Sequence, residues 1–272
     1  TALACLISVS VSGQSINLEL GTFNRSIPTA NFGGQTWRGP SWVDSTFNDS
    51  VATMYPNVLA YPPSPDVWNW QNGWFYSQAF LDTCCIDSIS LSWGQLNATV
   101  IDMPPEVFQS ALDQIGAEGL YCLNMISSNM SKQLEDLHSA KDNGVVLERL
   151  RLGDEMGKAG NVHSISHFPT AEDYASACDI YIDSIRDIIP NTKIAVSAGN
   201  FGSWNPRSEH WNDALYSMIN PADAFRWSAF FYLKEADTIF TTKQLLAYAF
   251  DQIPTYEQVR GFQDTIADLQ NY

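Results

Sequence analysis

Apolar and polar positions follow two recurring patterns along this chain. Short apolar runs typical of buried strands occur at 57–61, 119–125, 145–153, 193–199 and 223–233. They alternate with stretches whose apolar residues recur every three or four positions, the spacing of an amphipathic helix. Together with a first strand that ends at 30–34, these runs predict about six strand–helix units.

Capping residues and prolines mark the ends of several predicted helices. Thr170 followed by Asp173 is a variant of the capping box, and Pro190 ends the helix that it begins. Pro105 suits the first turn of a helix that runs to about residue 115, and Ser131 is predicted to cap the next helix, to about 142. Further helices are predicted at 44–54, 208–219, 241–250 and 256–270.

Repeated strand–helix units predict a parallel sheet, because each helix returns the chain to the start of a neighbouring strand. Two architectures fit this alternation: a doubly wound open sheet and a TIM barrel. A dinucleotide-binding sheet of the first kind carries G-x-G-x-x-G after its first strand, whereas Asn31 to Gln35 read NFGGQ here. A barrel needs eight strands, whereas about six are counted here, so the alternation alone predicts an α/β fold and leaves both architectures open.

The connection between residues 62 and 103 is much longer than usual for such a fold. It would lie at the carboxyl end of a strand, where barrel enzymes bind their substrates. Indole and phenol rings stack on the C–H faces of sugars, so we predict substrate binding by its aromatic residues, chiefly Trp68, Trp70 and Trp74. The alternative is a small hydrophobic cluster that only holds the loop in place.

The charge composition limits the classes of partner that this protein is expected to bind. Lys and Arg number 14 against 30 Asp and Glu, for a net charge of −16, and no basic run occurs. Nucleic acids and anionic membranes need clustered cations, so neither is expected as a partner. No segment beyond the N-terminus approaches the roughly 18 apolar residues of a membrane helix.

The N-terminus is apolar from residue 2 to 11 and resembles the end of a secretory signal peptide, with a buried strand as the alternative. We expect a signal-peptide remnant at 1–13, a partial barrel domain at 14–272, and secretion. Four cysteines beyond Cys5 permit two disulfides. Glycosylation sequons occur at Asn24, Asn48, Asn97 and Asn129, and they support secretion only weakly.

The candidate chemistry centres on Asp154 and Glu155, two adjacent acids at the end of the predicted strand 145–153. They are either a solvated surface pair or a catalytic acid at the mouth of a barrel. Of the histidines, His138 is expected on a helix surface, whereas His163 and His167 follow the same strand and could face a ligand. No metal site, cofactor or G-x-S-x-G nucleophile elbow is indicated. Two further acidic residues follow predicted strands, Asp66 and Glu235, and both are expected to be solvated.

Five segments occur in the order of a known family: GPSW (39–42), PNVLAYPPSPDVWNWQNGWF (56–75), LNMISS (123–128), RLGDE (151–155) and FPTAEDYA (168–175). They resemble secreted TIM-barrel proteins of the glycoside hydrolase superfamily. Such proteins are relatives of the retaining families whose acid/base Glu follows an Asn at the end of the fourth strand. The resemblance implies an α/β fold of the (β/α)8 TIM-barrel class, with about six of its units in this chain.

The resemblance implies roles for individual residues. Glu155 matches the acid/base Glu, and Asp154 stands where the family has Asn. Tyr61, Asn124 and Tyr232 match substrate-binding positions at the ends of the second, third and sixth strands. The nucleophile Glu of such enzymes ends the seventh strand, which is expected beyond residue 272.

Departures from the family pattern leave two readings open. Ala60 replaces an Arg, and Phe230 stands where a His is common. The first reading is a retaining glycoside hydrolase that acts on an extracellular polysaccharide or oligosaccharide. The second is an inactive barrel that binds carbohydrate or serves a structural role outside the cell.

Overall fold

The computed structural model describes residues 7–11, 14–18, 42–53, 56–62, 64–84, 89, 91, 102–158, 162–199, 206–219 and 224–226. Its strands are β1 Ile7–Val11, β2 Gln14–Leu18, β3 Val58–Tyr61, β4 Trp68–Asn69, β5 Trp74–Phe75, β6 Glu118–Leu123, β7 Arg149–Leu152, β8 Lys193–Ser197 and β9 Ala224–Arg226. Its α-helices are α1 Ser45–Ala52, α2 Gln78–Cys84, α3 Pro105–Ile115, α4 Met130–Asp142, α5 Val162–His167, α6 Ala171–Ile188 and α7 Pro206–Met218.

Five strands form one parallel sheet in the order β3-β6-β7-β8-β9. Their order in space is their order along the chain. A doubly wound sheet instead reverses its strand order at a switch point. Among the described strands, this arrangement confirms the predicted barrel-type α/β fold. The predicted first strand at 30–34 and the helices at 241–250 and 256–270 lie outside the described residues.

Local signals account for the helix ends. In α6 both bonds of the capping box form: Asp173 N donates to Thr170 Oγ1 at 3.2 Å, and Thr170 N donates to Asp173 Oδ2 at 3.1 Å. Helix α4 begins two residues earlier than predicted, and its cap is Asn129 instead of Ser131. The Asn129 carboxamide oxygen accepts from Lys132 N at 2.9 Å, which satisfies a donor of the first turn.

The predicted strand at 145–153 is shorter in the structure, at 149–152. Val145 N donates to the carbonyl of Ala140 at the end of α4, so this part of the apolar run serves the helix terminus instead of the sheet. Val145 and Leu147 are nonetheless buried. Apolar pattern alone does not separate a strand from the buried turn that leads into it.

The two faces of the sheet differ. One face packs on helices: the Tyr121 ring lies 5.6 Å from that of Phe108 in α3, and the Tyr174 hydroxyl of α6 donates to Leu152 O at 2.6 Å. The other face carries Cys122, Arg151 and Ala195 in one register row across β6, β7 and β8. In a barrel this face points to the interior.

The long connection contains a short antiparallel pair, β4 with β5, which forms a sheet separate from the parallel one. Gly73, at the turn between them, has a φ of +61° and accepts a hydrogen bond from Met103 N at 3.0 Å. A Cβ at this position would lie 1.9 Å from the Met103 carbonyl carbon. The end of the connection is therefore fixed against the turn between β4 and β5.

Features near the N-terminus bear on the secretion predictions. β1 and β2 form an antiparallel hairpin with Ile7 opposite Leu18, and the signal-peptide interpretation of residues 1–13 stays a prediction.

Asn48 is 3% exposed, and its amide donates to Trp42 O and Gln114 Oε1, so this sequon is inaccessible in the folded chain. Within the described ranges, no helix is long and apolar enough to cross a membrane.

Candidate functional site

The carboxyl ends of β3, β6 and β7 meet along one edge of the parallel sheet, here called the carboxyl edge. Tyr61 ends β3, Asn124 directly follows β6, and Asp154 and Glu155 follow β7. Residues that are far apart in sequence are thus brought to the edge where barrel enzymes carry their chemistry.

Glu155 occupies an unusual backbone conformation. Its φ of +52° is the one positive value among the described non-glycine residues. Such a conformation costs about 1–3 kcal/mol and persists only where the surroundings impose it. Here Met156 N donates to Ser197 Oγ of β8 at 3.1 Å, and Lys158 N donates to Glu155 O at 2.9 Å. The turn is therefore fixed by one hydrogen bond to β8 and by a second within the turn itself.

The Glu155 carboxylate lies at the surface of this turn. Its side chain is 22% exposed, and Oε2 is 2.7 Å from Lys158 Nζ. A general acid has to carry a proton, whereas this ion pair engages the ionised carboxylate. Proton donation by Glu155 would therefore require Lys158 to move away.

Asp154 faces a different cation. Its Oδ1 lies 3.5 Å from Nη2 of Arg151, whose side chain is 2% exposed on the inner face of the sheet. Arg151 Nε also donates to the Cys122 thiol at 3.2 Å, and burial raises the pKa of that thiol to about 11. The two adjacent acids thus have separate ion-pair partners, as expected when successive side chains diverge. Sequence reasoning missed Arg151, although a charged residue within an apolar strand was a signal.

The Tyr61 hydroxyl is fully engaged within the protein. It donates to Met103 O at 2.8 Å and accepts from Trp68 Nε1 at 2.9 Å, and the residue is 1% exposed. Burial raises the pKa of Tyr61 well above its usual value. The structure gives this residue a place in the core at the carboxyl edge, and its contact with substrate stays a prediction.

Asn124 is buried at 0% exposure and organises the turn after β6. Its Oδ1 accepts from the backbone N–H groups of Ile126 and Ser127, at 3.1 and 2.9 Å. Its Nδ2 donates to Trp68 O and Ser127 Oγ, at 3.2 and 2.8 Å. Both amide protons therefore have protein partners, so substrate binding here would have to displace one of them.

The three tryptophans that were predicted to bind substrate differ in their exposure to solvent. Trp68 and Trp70 are each 1% exposed and pack against the Tyr61 ring, with centroids 5.9 Å away in both cases. Trp74 is half-buried. Trp68 and Trp70 thus belong to the hydrophobic core, whereas Trp74 retains an accessible surface, and substrate binding by any of the three stays a prediction. Tyr232 lies outside the described residues, as do Phe230 and Glu235.

The histidines also differ in their exposure to solvent. His138 is exposed on α4, which confirms the predicted surface position. His167, at the end of α5, is half-buried, and burial lowers its pKa. His163 is half-buried too. In the part of the chain that the structure describes, no group of three or more His, Cys, Asp or Glu side chains could hold a metal ion.

Two neighbouring cavities lie beside the long connection, and together we call them the Phe80 groove. Tyr76 and Phe80 line both. The first, of about 530 Å³, is also lined by the loop after β6 and by His167. The second, of about 640 Å³, is also lined by Asn69, Asn72 and Trp74, among other residues. Sequence analysis missed Phe80, whose single aromatic ring on a short helix carries no pattern of its own.

Comparisons with known proteins were made at the levels of sequence and structure. No family model matches the sequence, and no curated protein matches it either. A family 51 α-L-arabinofuranosidase from Bifidobacterium longum matches in structure with a TM-score of 0.53 and 16% identity, over 82% of this chain. A GH51 arabinofuranosidase from Xanthomonas axonopodis pv. citri matches with a TM-score of 0.48 and 9% identity, over 75% of this chain and 43% of its own.

The Bifidobacterium likeness shows a TIM-barrel fold. This chain spans 44% of the length of that enzyme. The five parallel strands described here are thus consecutive strands of a partial barrel.

In the barrel, Arg207 at the start of α7 fastens the loop that follows Glu155. Its guanidinium donates to Phe168 O at 2.6 Å, to Met156 O at 3.1 Å, and to Pro169 O. It also lies 4.5 Å above the Trp211 ring. This arrangement keeps the loop from β7 to α6 against the barrel, and with it the carboxyl edge that bears Glu155. No sequence motif pointed to Arg207.

Proposed function

We propose that this chain is a secreted, glycoside hydrolase-like barrel protein that hydrolyses an extracellular polysaccharide or oligosaccharide, with Glu155 as general acid/base. The observation that carries the proposal is the position of Glu155 in an imposed left-handed turn at the carboxyl end of β7. Conformations of this kind cluster at functional sites.

The comparison supports a carbohydrate substrate. The protein from Bifidobacterium longum with the matching fold is an α-L-arabinofuranosidase, an enzyme that by its name releases arabinofuranosyl units. Arabinose-containing polysaccharides are therefore the first substrates to test. The half-buried Trp74 and the exposed Asn72 lie on the same connection and suit a sugar, because a ring can stack on C–H groups while an amide bonds hydroxyls.

In the proposed reaction Glu155 acts twice. Its carboxylic acid donates a proton to the glycosidic oxygen as the bond to the anomeric carbon breaks, and its carboxylate later takes a proton from the attacking water. A retaining mechanism needs a second carboxylate about 5–5.5 Å away as nucleophile. Asp154 is an unsuitable candidate for this nucleophile because its carboxylate faces the guanidinium of Arg151. We place the nucleophile outside the described residues.

The direct test is Glu155→Gln, which keeps the shape and removes the titrating proton. Turnover on arabinan, arabinoxylan and other soluble polysaccharides should fall roughly 10²- to 10⁴-fold, the range for one general acid/base. Affinity should change little, because the amide still forms hydrogen bonds. Glu172→Gln, at an exposed acid of α6, is the matched control and should leave turnover unchanged. Equal turnover of wild type and Glu155→Gln would disprove the assigned role.

A non-catalytic carbohydrate-binding barrel is the second candidate, and the Glu155–Lys158 ion pair favours it. Lys158→Met separates the two. In an enzyme, removal of the ammonium frees the carboxylate to accept a proton, so the pH profile of hydrolysis should change. In a binder, wild type and Lys158→Met should both bind glycan without hydrolysing any member of the panel.

A further inference from the structure

We propose that Phe80 is the central platform of an elongated carbohydrate subsite, so that the protein recognises chains of several sugar units in preference to single sugars. This inference rests on the proposed carbohydrate function. It concerns the Phe80 groove, which lies on the connection after β3 and contains neither Glu155 nor Asp154.

Phe80 presents an exposed ring on a fixed support. The residue is 40% exposed, which makes it one of the few large apolar side chains on the described surface. Its ring stacks on that of Tyr76, with centroids 4.3 Å apart and planes inclined by 20°. Tyr76 is 9% exposed, and its N–H donates to Val67 O at 2.9 Å. The Phe80 ring is therefore held in place before any ligand arrives, which lowers the entropic cost of binding.

Polar groups flank the ring on both sides. The exposed amide of Asn72 lies in one cavity, and the exposed amide of Asn129 and the His167 imidazole lie in the other. Burial lowers the pKa of His167, which favours the neutral ring, with one donor and one acceptor. Asn72 and the neutral His167 ring can each donate and accept, whereas Asn129, whose oxygen caps α4, offers its amide donor. An apolar platform beside such groups matches a sugar chain, whose C–H faces and hydroxyls alternate.

The size and position of the groove indicate a ligand of several units. The cavities, of about 530 and 640 Å³, each fall within the roughly 300–1,000 Å³ typical of ligand pockets. Because both share Tyr76 and Phe80, a ligand that fills both must cross the Phe80 ring. The lining comes from the segments that follow β3, β6 and β7.

The test measures affinity by isothermal titration calorimetry. The full chain is titrated with arabino-oligosaccharides from the monosaccharide to the hexasaccharide, and with arabinoxylan and agaro-oligosaccharides. Wild-type affinity should rise with chain length. Phe80→Ala should weaken hexasaccharide binding by roughly 5- to 100-fold, by analogy with aromatic platforms under other flat ligands. It should also abolish the dependence on length.

Two variants and a control keep the test specific. Phe80→Tyr retains the ring and should keep wild-type affinity, whereas Phe80→Leu retains apolar volume alone and should behave like Phe80→Ala. Ile180→Ala, at a residue 57% exposed on α6, should bind like wild type. Far-ultraviolet circular dichroism checks that each variant is folded, and an unfolded Phe80→Ala is replaced by Phe80→Leu.

The outcomes distinguish this inference from the proposed function. If oligosaccharides bind and Phe80→Leu and Phe80→Ala leave affinity and its length dependence unchanged, the platform is refuted while the carbohydrate function stands. If no glycan in the panel is bound or hydrolysed by wild type, the proposed function itself fails.

Discussion

The guanidinium of Arg151 lies 3.5 Å from the carboxylate of Asp154, and both Arg151 and the Cys122 thiol beside it are almost fully buried on the inner face of the sheet. Nη2 of Arg151 has no hydrogen bond within the described structure. Asp154 is therefore the negative group that compensates a charge inside the barrel. The catalytic role that its position next to Glu155 suggests stays a prediction.

Asp154→Asn should therefore destabilise the protein by about 1–3 kcal/mol, because it leaves the buried Arg151 charge without a carboxylate. Arg151→Met should cost less, because it removes the buried charge and leaves an Asp154 carboxylate that is 25% exposed and can be hydrated. Urea denaturation of both variants measures the difference. Unaltered stability of Asp154→Asn would mean that the 3.5 Å pair contributes nothing.

Trp70 and Trp74 should respond differently to truncation. Trp70 is 1% exposed, with its ring 5.8 Å from that of Tyr121, so Trp70→Ala should lower the free energy of unfolding by about 3–5 kcal/mol. Trp74→Ala should cost less stability and instead weaken glycan binding. Denaturation and calorimetric titration of both variants give the comparison. A larger loss of affinity in folded Trp70→Ala than in Trp74→Ala would reverse the assignment.

Gly73 and Gly144 form a matched pair of positive-φ glycines, with φ of +61° and +85°. A Cβ at Gly144 meets nothing within 4 Å, so Gly144→Ala should cost only the backbone strain, about 1 kcal/mol. Gly73→Ala adds a collision with the Met103 backbone and should cost at least about 2 kcal/mol more. Thermal melts of the two variants test whether the connection is anchored at Gly73. Equal costs would show that it is not.

The pKa of His167 is lowered by burial, which gives stability a defined pH dependence. Between this lowered pKa and the ordinary value of about 6.5, the unfolded chain binds more protons at this residue than the folded one. The contribution of His167 is therefore fully present above pH about 6.5 and decreases as the pH falls through this window. In His167→Asn the free energy of unfolding should decline less between pH 7 and 5 than in wild type. Parallel curves for the two proteins would contradict this.

The sequence by itself indicated the strands of the parallel sheet, most of the helices between them and the α/β class of fold, whereas α2, α5, β4 and β5 were not predicted. The Thr170–Asp173 capping box and Pro105 fix where two helices begin, because they act within one turn of chain. Alternation of short apolar runs with amphipathic stretches required a parallel sheet, since each helix must return the chain to a parallel neighbour. The placement of Asn124 and Glu155 at one edge followed from that topology alone.

Only the tertiary structure decided which side chains are available for binding. In a sheet covered on both faces, both sets of alternate residues are largely buried, so the pattern did not reveal that Arg151 faces inward and meets Asp154. The aromatic residues of the long connection have no helical or strand period that would separate the buried Trp70 from the exposed Phe80. Exposure there depends on contacts between distant segments, such as Gly73 with Met103, and these contacts form only when the chain is folded.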